Sequence, residues 1–191
     1  MMNNFDDDIK NCLAVLRTGG VILYPTDTIW GIGCDATNEA AVHRVFEIKQ
    51  RQDSKALVLL ADSATRIANY VEEVPDIAYD LIEVADKPLT IVYPNARNIA
   101  QAAVANDNSV AFRVPADAFC SKLCAMLRKP VVSTSANISG AQSPANFSEI
   151  ADEIKEKVDY IVKFRQDENG KSLPSSIIKL DKGNVFSIIR K

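Results

Sequence analysis

Three cations stand within seven residues in Lys49-Gln50-Arg51-Gln52-Asp53-Ser54-Lys55. A helix ending near Gln50 would account for Lys49, since a cation there complements the carbonyl end of the helix. Arg51 and Lys55 lie beyond that last turn. Three cations leading into a buried strand suit a triphosphate, which needs charge neutralisation and bidentate hydrogen bonding. A second cluster is Ser133-Thr134-Ser135-Ala136-Asn137-Ile138-Ser139-Gly140. Turn chemistry explains its Asn and Gly, but not the hydroxyls at the end of an otherwise apolar strand. Pro25-Thr26-Asp27-Thr28 adds two hydroxyls and a carboxylate, with Trp30, Gly31 and Gly33 behind them; a proline turn with side-chain hydrogen bonds is the plain alternative. Arg113 closes the apolar run Val110-Ala111-Phe112, where it suits a carboxylate or phosphate ligand, or else a surface ion pair.

Several other devices fail on their context. Gly31-x-Gly33-x-x-Ala36 fits a loose dinucleotide pattern, yet its glycines should lead straight into a helix, and the next helix starts only near Asn38. No GxxxxGK[ST] loop is present, so P-loop chemistry is excluded. His43 is the single histidine, which removes two-His metal sites and a Ser-His-Asp relay, and it falls on the polar side of its helix. Cys12, Cys34, Cys120 and Cys124 follow no disulfide or zinc spacing and read as buried free thiols.

The elements that must position these side chains alternate along the chain. Ile9, Cys12, Leu13 and Leu16 fall on one helical face behind Asp6, Asp7 and Asp8, which could cap it, and Gly19-Gly20 ends it. Strands are predicted over 21–24, 29–34, 57–60, 89–93, 109–114, 131–135 and 160–164. Helices are predicted over 38–50, 63–71, 75–85, through Leu123 and Met126, and over 148–157. Residues 176–180 and 185–190 flank a polar turn and read as a β-hairpin. With 191 residues, 47% hydrophobic and a net charge of −3, the chain is neither disordered nor strongly basic. Its longest apolar run, residues 56–61, is far short of the roughly 20 needed to span a membrane. No basic and apolar leader opens it, so a reducing cytoplasmic setting is expected. The pattern predicts one α/β domain over 1–191 with a mixed sheet.

The residues Gly20-x4-Pro25-Thr26-Asp27-Thr28-x-Trp30-Gly31-Ile32-Gly33, then Lys49-x-Arg51, Pro88-Leu89-Thr90, Arg113-Val114-Pro115 and Ser135-Ala136-Asn137-x-Ser139-Gly140, resemble the YrdC/TsaC family in order and spacing. The resemblance runs from about residue 10 to Arg190. It implies an α/β fold with a twisted mixed, largely antiparallel sheet flanked by helices around a deep basic cavity. It also implies an L-threonylcarbamoyladenylate synthase of the single-domain bacterial form, a nucleotidyltransferase that joins L-threonine, bicarbonate and ATP into threonylcarbamoyl-AMP and pyrophosphate for tRNA modification. Carried over, Lys49, Arg51, Lys55, Ser109, Asn137 and Arg190 are expected on the ATP side, and Thr28, Arg113, Ser135 and Ser176, or its neighbour Ser175, on the threonine side. No covalent nucleophile and no protein metal ligand are expected, with Mg²⁺ held through the phosphates. Downstream tRNA-modification proteins, and a weak contact with double-stranded RNA or tRNA, are the implied partners.

The chain departs from the family pattern at Gln52 and Ala56, where prolines are usual, and at Leu60, where a histidine is often found. It departs again at Ala145, which replaces an ATP-side hydroxyl, and at Trp30, where tyrosine is common. The rival reading is a YciO-like paralogue that binds RNA or another nucleotide without this synthesis; Lys49-x-Arg51 and Ser135-x-Asn137 favour the synthase.

Overall fold

A computed structural model describes residues 5–51, 57–169, 174–181 and 185–190. The first helix, α1 (Asp6–Arg17), turns Ile9, Cys12, Leu13 and Leu16 inward, as its periodicity requires. Burial of such a side chain is worth roughly 1.5–3 kcal/mol. Its aspartates do not cap it: no side chain bonds the helix start, and Asp6, Asp7 and Asp8 lie within the first turn. There they complement the positive end of the helix. Asp8 is buried and accepts hydrogen bonds from the Tyr160 hydroxyl and from the backbone N–H groups of Lys163 and Phe164.

Two short buried strands follow, β1 (Ile22–Tyr24) and β2 (Gly31–Gly33), and the paired glycines therefore sit in a strand rather than at a helix start. Asn38 caps α2 (Glu39–Ile48) by accepting from the Ala41 N–H at 3.1 Å. His43 is half exposed on this helix, with Nε2 3.2 Å from the Glu39 carboxylate. Beyond α2 come β3 (Val58–Leu60), the single turn α3 (Ala64–Ile67) and α4 (Asp76–Val84). Then come β4 (Leu89–Tyr93), β5 (Val110–Arg113), α5 (Ala118–Leu127) capped by Asp117, and β6 (Val131–Ser135). The last elements are α6 (Asp152–Lys155), β7 (Tyr160–Ile161) and the hairpin β8 (Ser176–Asp181) and β9 (Val185–Arg190).

Among the described residues these strands form one sheet in the order β7-β1-β2-β6-β3-β5-β4-β8-β9. The pairs β1–β7, β3–β5 and β4–β8 are parallel, and the other five are antiparallel. The mixed, mostly antiparallel α/β sheet agrees with expectation. All four cysteines are buried and free.

Among the elements shorter than predicted, three show a local reason. The helix expected over 148–157 breaks into a 3-10 turn at Phe147–Glu149 and the short α6, because Ile150 and Ala151 take extended and polyproline-like backbone angles between them. The strand expected over 160–164 stops at Ile161, since the N–H groups of Lys163 and Phe164 go to Asp8 instead of a neighbouring strand. The helix expected over 63–71 amounts to α3; Ser63 caps it, but Val71 already bridges to Ala96.

Candidate functional site

Residues directly opposed in a sheet share a face. The register sets Gly31 beside Ser135, Ser133 beside Val58, and Thr90 between Arg113 and Ile177, with Ile177 beside Arg190. This face is the floor of a cavity of about 570 Å³, within the range of small-molecule sites. Its polar wall comprises Thr28, Arg51, Arg113, Ser133, Ser135 and Arg190, and Ile29, Leu57, Pro144 and Ala145 supply apolar surface. Gly31 leaves the floor without a side chain; a Cβ there would lie at ordinary contact distance from Thr134 O and Ser133 Oγ. Trp30 is buried behind the site, its ring centroid 4.9 Å from that of Phe147.

Arg113 is buried in β5, and its Nη2 lies 3.1 Å from Asp27 Oδ1. The contact is close enough for an ion pair but is not aligned as a hydrogen bond. Arg113 Nε and Nη2 thus keep unfilled hydrogen-bonding capacity in a dry environment, a costly condition that an anionic ligand would relieve. Burial raises the Asp27 carboxyl above its usual range, and the Arg113 charge pulls the other way.

The left-handed Gln50 (φ 50°) ends α2, and the Arg51 N–H reaches back to Phe46 O at 3.0 Å. This is the helix-stop geometry usually built on glycine, and it delivers Arg51 to the cavity wall. The guanidinium lies 5.6 Å from the Phe46 ring centroid, and burial lowers its proton affinity. Lys49 does not line the cavity. Its ammonium is buried and donates to the carbonyl oxygens of Ser135 and Asn137, at 2.7 Å for the latter. Its pKa is pushed down to about 8, by burial first and by Arg51 second. Lys49 therefore braces the end of β6, at Ser135, and the loop that follows it. Asn137 serves the same loop: its amide donates to Ile138 O and to Ala141 O at 2.8 Å.

At the other end of the sheet Arg190 Nε and Nη2 both donate to Ser175 O, at 2.9 and 2.7 Å, while Ser175 Oγ pairs with buried Thr90 at 2.8 Å. Ser175 and Ile177 line the cavity, so the two-residue period of β8 turns Ser176 to the opposite face. Of the two candidate serines, Ser175 lines the cavity and Ser176 does not. Ser109 does not reach the cavity lining either: it precedes β5 at the end away from Arg113, and its hydroxyl donates to Asp107. Lys55, Gln52 and Ala56 lie outside the described residues. Leu60 is fully buried. Gln142 and Ser143 also line the cavity. They sit in a loop whose sequence carries no periodic signal for Gln142, and sequence reasoning passed it over.

A family model for Sua5, YciO and YrdC proteins, described as "Telomere recombination", matches residues 14–191. The chain is also 35% identical over 183 residues to a protein named "Threonylcarbamoyl-AMP synthase" from Pseudoalteromonas translucida (strain TAC 125), covering 93% of this chain and 96% of the relative. The chain belongs to the Sua5/YciO/YrdC family. Among solved structures it resembles P. abyssi Sua5 complexed with L-threonine, with a TM-score of 0.85 at 27% identity, over 97% of this chain and 54% of that one. It thus spans about half the length of that Sua5 chain. The fold is shared with E. coli YciO, at a TM-score of 0.82 and 23% identity over 97% of this chain and 89% of that one.

Proposed function

We propose that this family member is an L-threonylcarbamoyladenylate synthase working as one YrdC-like domain. The observation that carries the reading is the convergence of Arg51, Arg113 and Arg190 with a row of hydroxyls on one cavity. It gains weight from the long match to a synthase of nearly the same length and from the threonine held by the related Sua5 structure. The threonine amine would join bicarbonate with loss of water, giving a carbamate. A carbamate oxygen would then attack the α-phosphate of ATP in line with departing pyrophosphate. Both partners are anionic, so the protein's task is to hold them together and offset their charge.

Arg113, Thr28, Ser135 and Ser175 are assigned to threonine, and Arg51, Arg190 and Lys55 to ATP, while Lys49 and Asn137 shape the loop between the two. The cavity lining contains no carboxylate among the described residues. Mg²⁺ would enter with the nucleotide, held by phosphates and water. The product would pass to tRNA-modification proteins in the cytoplasm. The test is threonine-dependent conversion of ATP to pyrophosphate, with label from bicarbonate appearing in threonylcarbamoyl-AMP. Pyrophosphate release indifferent to threonine overturns the assignment.

A further inference from the structure

The turn between β1 and β2 fixes the direction of a proton. Thr26 Oγ1 donates to Ile29 O at 2.7 Å and accepts from the Thr28 N–H at 3.0 Å. The two threonine hydroxyl oxygens are 2.9 Å apart. A hydroxyl has one proton and two lone pairs. The Thr26 proton is spent on Ile29, so the proton between the hydroxyls belongs to Thr28. Thr26 is then saturated, and the Thr28 hydroxyl, on a residue that lines the cavity, keeps lone pairs and has no proton to give. Thr28 is only 4% exposed, so bulk water does little to blur that polarity.

We infer that Thr26, which does not line the main cavity, is a positioning residue that makes Thr28 an obligate hydrogen-bond acceptor, selecting a donor group of the amino-acid substrate and repelling carboxylate and phosphate oxygens. The inference rests on the proposed function and adds a polarity to it. Arg113, with buried N–H groups lacking an aligned acceptor, takes the substrate's carboxylate. Thr28 takes its amine or hydroxyl. A reversed amino acid or a misplaced phosphate would set oxygen lone pairs against oxygen lone pairs at Thr28.

The test compares Thr26→Val, which keeps the shape and removes the hydroxyl, with Thr26→Ser, which keeps the hydroxyl. Thr26→Val should raise the KM for threonine roughly tenfold or more, with the KM for ATP and kcat at saturating threonine changed far less. Thr26→Ser should restore the wild-type threonine KM. An unchanged threonine KM in Thr26→Val, or equal impairment in Thr26→Ser, overturns the inference. Should Thr26→Val fail to fold, NMR of the unsubstituted protein decides. A slowly exchanging Thr28 hydroxyl proton that stays close to Thr26 when L-threonine is added supports it, and one that leaves Thr26 for the ligand overturns it. Failure of the functional reading would show instead in the unsubstituted protein, as pyrophosphate release independent of threonine.

Discussion

Arg113 is held in the sheet by a carboxylate from a different segment, and the two buried charges depend on each other. Asp27→Asn would leave the guanidinium without a counter-charge, a loss of about 3–5 kcal/mol for a broken buried pair. Urea denaturation should show that loss, and the surviving activity should show a larger rise in threonine KM than in ATP KM. Arg51 stands at the cavity wall on the far side of α2's end. Arg51→Ala is expected to remove nearly all pyrophosphate release while the circular dichroism spectrum stays unchanged. Ser135→Ala should mainly raise the threonine requirement. At this scale the sequence was informative about residue type: cations and hydroxyls with no core duty at strand ends did converge on one hollow. Direction was hidden. Lys49 has the right charge and spacing, but two main-chain carbonyls claim its ammonium. Ser175 and Ser176 are equal in type, and only the pairing of β8 with β4 decides which faces the cavity.

Lys49 also gives the loop after β6 a pH dependence. The folded protein holds its pKa near 8, against an ordinary value of 10.5. Between those values the unfolded chain keeps the proton and the folded one sheds it, so this contribution to stability rises with pH. Below pH 8 both states are protonated, and the cost of the buried ammonium is carried in full. Denaturation at pH 8 and pH 10 should show wild type gaining on Lys49→Met at the higher pH; a constant difference would refute the assignment. Element boundaries were legible wherever an apolar run ended in a breaker. Strands β4 and β6 match their predicted limits, because Pro88 and Pro130 precede them and Pro94-Asn95 and Ala136-Asn137 follow. They were illegible where a distant side chain intercepts the backbone, as Asp8 does beyond β7. No local pattern announces that partner.

Across the whole molecule, β6 is the link that makes one sheet from two parts. It lies between β2 and β3, and the close fit on its β2 side is visible at Gly33. A Cβ there would stand 2.4 Å from Val132 O and 2.6 Å from Tyr24 Cε1. Tyr24 spans the same region and donates its hydroxyl proton to Val132 O at 2.9 Å. Gly33→Ala should therefore destabilise the entire fold by about 1–3 kcal/mol or more, as overpacking of a tight core does, lowering the melting temperature rather than loosening one loop. Order of strands could not be read from the chain, since nothing local tells residues 131–135 to insert between β2 and β3, two strands that lie far earlier in the sequence.

Ser133 and Ser135 ride on that same central strand. A partly zipped chain, with its two halves still separate, has no vessel in which a nucleotide could be caught. The hollow therefore exists only once β6 is paired on both of its edges.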